Sequence, residues 1–109
     1  MSRGHDPGQG RRIDFDRVGG VARANAEAVV RAFLPDGRRE GNEWVARNPR
    51  RPDKTLGSFK VNLVKAYWAD FASGDKGGDL VGLVAYLLGV SQRDAAIRLA
   101  EALGVEPYE

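Results

Sequence analysis

The sequence predicts an α+β domain, a small antiparallel β-sheet flanked by an N-terminal helix and two C-terminal helices. Three observations predict it. Apolar residues recur at helical spacing near the start, strict alternation replaces that period in the middle, and helical spacing returns at the end. With 109 residues the chain has the length of one ordinary domain, and 42% hydrophobic residues supply a modest core.

Residues 1–15 read as a flexible N-terminal tail, rich in glycine and arginine, with His5-Asp6-Pro7-Gly8 as a turn-like cluster, and 16–109 as a single domain. Val21, Ala24, Ala28, Val29, Ala32 and Phe33 then mark one helix over about 20–33, stopped by Pro35-Asp36-Gly37. Trp44-Val45-Ala46 reads as a short strand. Residues 58–63 alternate, with Phe59, Val61 and Leu63 set against Ser58, Lys60 and Asn62, and a second strand at 67–71 follows closely enough for a hairpin.

The expected hairpin has a three-residue loop, Val64-Lys65-Ala66. It pairs Leu63 with Tyr67, Val61 with Ala69 and Phe59 with Phe71, and sets Lys60 opposite Asp70. The competing register, which places Phe59 opposite Asp70, is disfavoured because it wastes both residues. The preferred register puts Lys60, Asn62 and Trp68 together on a polar face. Further on, Asp79 caps a helix carrying Leu80, Leu83, Val84, Leu87 and Leu88, with Gly89 as its stop. Ser91 and Asp94 form a capping box for the last helix, which carries Ala95, Ala96, Leu99, Ala100 and Leu103 and ends at Gly104.

Composition excludes several chemistries. The absence of cysteine removes disulfides, thiolate metal sites and cysteine nucleophiles, and the lone histidine, His5, cannot build a catalytic triad or a histidine metal centre. No stretch approaches the ~20 apolar residues that cross a bilayer, and no signal-peptide pattern opens the chain, so a cytoplasmic protein with no membrane partner is expected. Charge is polarised. Residues 1–60 carry 13 Lys and Arg against 8 Asp and Glu, a net +5, and residues 61–109 carry 4 against 7, a net −3.

Three clusters invite a functional reading. Asp75-Lys76-Gly77-Gly78-Asp79 has glycines that could cradle phosphate, but it lacks the P-loop spacing, and Asp79 at the cap would repel an anion. It reads as a structural turn. Asp70, Asp75 and Asp79 resemble a Mg²⁺ cluster only until Asp70 is given to Lys60 and Asp79 to its cap. The third is basic: Arg47, Arg50, Arg51 and Lys54 crowd a proline-stiffened loop beside Lys60 and Trp68. Cations beside an aromatic platform suit single-stranded nucleic acid. A solvated loop, with Trp68 covered by the N-terminal helix, fits the same residues, and the bare pattern leaves both readings open.

From about Gly41 to Leu103 the sequence resembles the N-terminal zinc-binding domain of bacterial DNA primases and related phage and plasmid primase-helicases. Asn48-Pro49-Arg50-Arg51-Pro52-Asp53-Lys54-Thr55-Leu56-Gly57-Ser58-Phe59 follows that family's first zinc half-site with one inserted residue. The segment from Tyr67 or Trp68 through Lys76-Gly77-Gly78-Asp79 follows the second, and Leu80–Leu88 takes the place of the apolar helix behind it. The resemblance sets the four ligand positions on Asn48, Arg51, Phe71 and Gly74, which cannot hold zinc as a tetrahedral set.

It therefore implies a zinc-free version with no cofactor, in which a buried Phe71 returns roughly 1.5–3 kcal/mol and the flanking helices enlarge the core. It also implies a non-catalytic DNA-binding module that engages single-stranded template through Arg47, Arg50, Arg51, Lys54, Lys60 and Trp68. The implied company is a Toprim polymerase or helicase domain, carried by the same polypeptide or a partner protein. The competing expectation is a protein-interaction or docking module, possessing the scaffold but no DNA binding. A duplex-reading helix-turn-helix fits poorly, because the last helix carries Asp94 and Glu101.

Overall fold

A computed structural model describes residues 11–50 and 57–109. Its elements run α1 (Phe15–Ala24), α2 (Ala26–Phe33), β1 (Arg38–Glu40), β2 (Glu43–Ala46), β3 (Phe59–Asn62), β4 (Trp68–Asp70), β5 (Lys76–Gly77), α3 (Leu80–Leu88) and α4 (Gln92–Leu103). The five strands form one antiparallel sheet in sequential order, so the α+β class expected from the periodicity is the one observed.

The N-terminal helix differs from its expectation at both ends. It begins at Phe15, where the Asp14 carboxylate accepts the Arg17 N–H at 2.9 Å. It breaks at Asn25, whose side-chain amide donates to the Val21 carbonyl at 2.8 Å, competing with the backbone ladder in the way that makes asparagine a poor interior helix residue. Ile13, inside the segment assigned to the tail, is a core residue bridged to Tyr108, and the Asp14 N–H donates to the Pro107 carbonyl at 2.8 Å. Residues 1–10 of that segment lie outside the described residues.

The C-terminal half follows its sequence signals closely. The Asp79 carboxylate accepts the Gly82 N–H at 2.7 Å, and Ser91 Oγ accepts the Asp94 N–H at 3.0 Å. Gly89 and Gly104 close α3 and α4 in the left-handed conformation. Among the described residues no single helix is long and apolar enough to cross a membrane.

The β3–β4 hairpin does not adopt the expected register. Phe59 lies opposite Asp70, Lys60 opposite Ala69 and Val61 opposite Trp68. The connection is a four-residue turn, Leu63-Val64-Lys65-Ala66, organised by Asn62. The Asn62 side-chain oxygen accepts the N–H groups of Val64 at 2.9 Å and Lys65 at 2.7 Å, and the Ala66 N–H donates to the Asn62 carbonyl at 2.8 Å. Ala66 completes the turn with a φ of 68°.

A one-residue slip moves every side chain of a strand to the opposite face. Trp68 and Asp70 therefore point inward with Phe59 and Val61, while Tyr67, Ala69 and Phe71 alternate outward. The inner face carries Trp44, Val61 and Trp68 in one row and Ala46, Phe59 and Asp70 in the next. Val18, Ala22, Leu80, Leu83, Val84 and Leu99 from the helices complete the core. Trp68 packs edge-on to Phe59 at 5.9 Å between ring centroids and against Tyr86 at 5.0 Å.

Candidate nucleic-acid interface

The outer face of the sheet is built by the same register. One row crosses all five strands: Arg38, Val45, Lys60, Ala69, Lys76. Strands ~4.8 Å apart set its three cations about 10 Å from one another, over roughly 19 Å in all. Phe71 and Tyr67 flank Ala69 along the chain, and they are 72% and 49% exposed. The Lys60 ammonium sits 5.9 Å from the centre of the Phe71 ring. The Asn62 side-chain amide donates to the Tyr67 hydroxyl at 3.2 Å and so orients that ring.

A neighbouring row is acidic. Glu43 lies 4.0 Å from Lys60, and Glu40 pairs with Arg38 at 2.6 Å. Among the described residues Lys76 makes no ion pair within 4.0 Å. Exposed pairs of this kind hold only ~0–1 kcal/mol, so a phosphate can displace the carboxylates.

The residues named from the sequence divide sharply. Lys60 is on this face. Trp68 is not: its side chain is 5% exposed, its indole N–H donates to the Asp79 carbonyl at 3.1 Å, and it offers no ring surface for a base. The expectation failed because the hairpin turn is one residue longer than assumed. Arg47 is exposed at the end of β2. Arg50 is folded back onto α3, where it donates to the Tyr86 carbonyl at 2.9 Å and lies 5.3 Å from the Tyr86 ring centre. Arg51 and Lys54 lie outside the described residues.

Of the four positions expected to replace zinc ligands, Arg51 lies outside the described residues, and the other three differ in setting. Phe71 projects into solvent and returns little burial energy, contrary to expectation. Gly74 has no side chain, and it takes a φ of 86° to turn the chain from β4 into β5. Asn48 does sit in a buried corner, 1% exposed, but its partner there is Asp70, which is 0% exposed. The Asn48 amide donates to Asp70 Oδ2 at 2.8 Å and to the Tyr86 hydroxyl at 2.7 Å. The Tyr86 hydroxyl in turn donates to Asp75 Oδ2 at 2.7 Å. Burial pushes the Tyr86 phenol above its ordinary value, and the bond to Asp75 adds to the shift.

Asp70 is thus not paired with Lys60 as expected. The Gly-Gly-Asp segment also has a structural reason, since a Cβ at Gly77 would collide with the Trp68 indole. Among the described residues no group of three or more His, Cys, Asp or Glu could hold a metal ion.

Sequence reasoning missed Arg38, Tyr67, Phe71 and Lys76 as outward-facing groups. The signal that could have found the aromatic pair is Asn62, because an asparagine able to hold two following N–H groups favours a longer turn than three residues.

No protein-family model and no curated protein matches the chain. Among solved structures, the crystal structure of the Aquifex aeolicus primase, comprising its zinc binding and RNA polymerase domains, is similar with a TM-score of 0.64 and 24% identity. The match covers 87% of this chain and 22% of that one. The chain therefore has a primase-related fold and corresponds to about a fifth of that primase chain.

Proposed function

We propose that the chain is a non-catalytic module that binds single-stranded DNA during replication priming. In this reading it is a zinc-free form of the primase zinc-binding domain and acts in the cytoplasm beside a Toprim polymerase or a helicase domain. The observation that carries the binding is the outer sheet face, where exposed Phe71 and Tyr67 stand beside Lys60 and Lys76 with no helix across them. A basic row tracks phosphates while aromatic rings accept unstacked bases, and a duplex offers no such bases.

The primase likeness supplies the context of priming, and the missing thiols supply the zinc-free part. What the module does is hold template.

The test is fluorescence anisotropy with a labelled oligothymidine and with a duplex of equal length. Binding of the single strand, stronger than of the duplex and weakened by salt, is the expected result. Absence of single-strand binding at low salt removes the proposal.

A further inference from the structure

Two short turns meet in the buried corner behind the outer face. In the first, Asn48 Oδ1 accepts the Arg50 N–H at 2.8 Å. In the second, Asp70 Oδ1 accepts the N–H groups of Ala72 at 2.8 Å and Ser73 at 3.3 Å. Each turn is organised by its own leading side chain, and the two leading side chains are joined by the Asn48–Asp70 bond of 2.8 Å. Each Asn48 side-chain polar atom has a protein partner, and no buried side-chain polar atom among the described residues is left unsatisfied.

This corner decides what the outer face presents. Asp70 precedes Phe71, and its inward anchor is what turns Phe71 outward. The Asp70 N–H donates to the Asp75 carbonyl at 2.7 Å, which closes the turn that delivers Lys76 to the basic row.

We propose that the Asn48–Asp70 pair is a metal-free clasp whose two members are positioning residues for nucleic-acid binding. It joins the two turns by a hydrogen bond where a shared metal ion would otherwise join them, and it fixes Phe71 and Lys76 in their binding places. Asp70 and Ser73, each one residue before the positions Phe71 and Gly74 that the resemblance set, have the two-residue separation at which a turn presents paired metal ligands. This inference rests on the nucleic-acid reading of the outer face for its binding consequence, but not for the clasp itself.

The experiment is a donor–acceptor exchange. It is made in a Tyr86→Phe background, which removes the second bond of the Asn48 amide. There Asp70→Asn sets two amide nitrogens against each other, Asn48→Asp sets two carboxylates against each other, and the double exchange restores one donor facing one acceptor. Each single variant is expected to bind oligothymidine at least about ten-fold more weakly, and the double to recover to within a few-fold of the Tyr86→Phe parent. A double variant no better than the sum of the singles, or singles that bind normally, overturns the proposal.

A second variant guards against simple loss of folding: Asn48→Cys, Asp70→Cys and Ser73→Cys combined, kept reduced and titrated with Co²⁺ and then Zn²⁺. A thiolate-to-cobalt absorption band, with melting temperature and oligothymidine binding restored by zinc, is expected. No band means that the three positions do not converge, and the likeness of the pair to a metal site falls. If the unaltered protein binds no oligothymidine, the function proposed above fails alone, because the exchange and the metal rescue still read out in the melting temperature.

Discussion

Exchanging the fates of two aromatic residues tests the structural argument most directly. Phe71 is 72% exposed and Trp68 is 5% exposed, although the sequence suggested the opposite roles. Phe71→Ala removes a ring that touches little of the protein, so the melting temperature should stay within about 2 °C of the parent, as surface changes of ±0.5 kcal/mol allow. Loss of base stacking worth ~1–3 kcal/mol should weaken oligothymidine binding roughly 5- to 150-fold. Trp68→Ala should behave conversely. It empties a site between Phe59 and Tyr86 and abandons the bond to the Asp79 carbonyl. A large-to-small change of this kind costs about 3–5 kcal/mol and lowers the melting temperature by well over ten degrees. Thermal unfolding followed by circular dichroism, paired with anisotropy titrations at a temperature where both variants are folded, separates the two effects. A Trp68→Ala protein that melts normally but no longer binds would refute the register and the interface built on it.

Other consequences follow from the same geometry. With Arg38, Lys60 and Lys76 as the phosphate row, the slope of log affinity against log salt should be near −2, and Lys76→Ala should reduce its magnitude by ~0.7. Gly77→Ala forces a Cβ into the Trp68 indole and should cost about 1–3 kcal/mol in denaturant unfolding, without altering phosphate affinity. Burial holds the Tyr86 phenol above its ordinary value, so the stability it contributes is complete below the ordinary tyrosine range and is lost as pH rises through the higher folded-state value. Tyr86→Phe should flatten this alkaline loss, read as melting temperature between pH 9 and 11. Chelation by EDTA should leave the melting temperature unchanged, and a fall would contradict the metal-free reading.

Much of the fold was legible in the chain because its signals are local. Asp79 and Ser91 as caps, Gly89 and Gly104 as stops, and the spacing of Leu80, Leu83, Val84 and Leu99 require only neighbours within a helical turn, and the structure uses each of them as the sequence suggests. The alternation of Phe59 and Val61 announced β3 in the same way. Strand β1, Arg38–Glu40, could not be read, since three exposed charged residues carry no burial pattern and become a strand only by pairing with Glu43–Val45.

The candidate site lay at the boundary between these two kinds of information. The sequence determined that cations and aromatic rings would meet on a small sheet, and that no thiol or histidine cluster could organise it. Which rings would face solvent was decided by tertiary structure. Asn62 lengthens a turn by one residue, and Asn48 gives the inward Asp70 a partner 22 positions away that no local pattern reveals. A side-chain period of two makes that single residue decisive. It carried Trp68 into the core and brought Tyr67 and Phe71 to the surface.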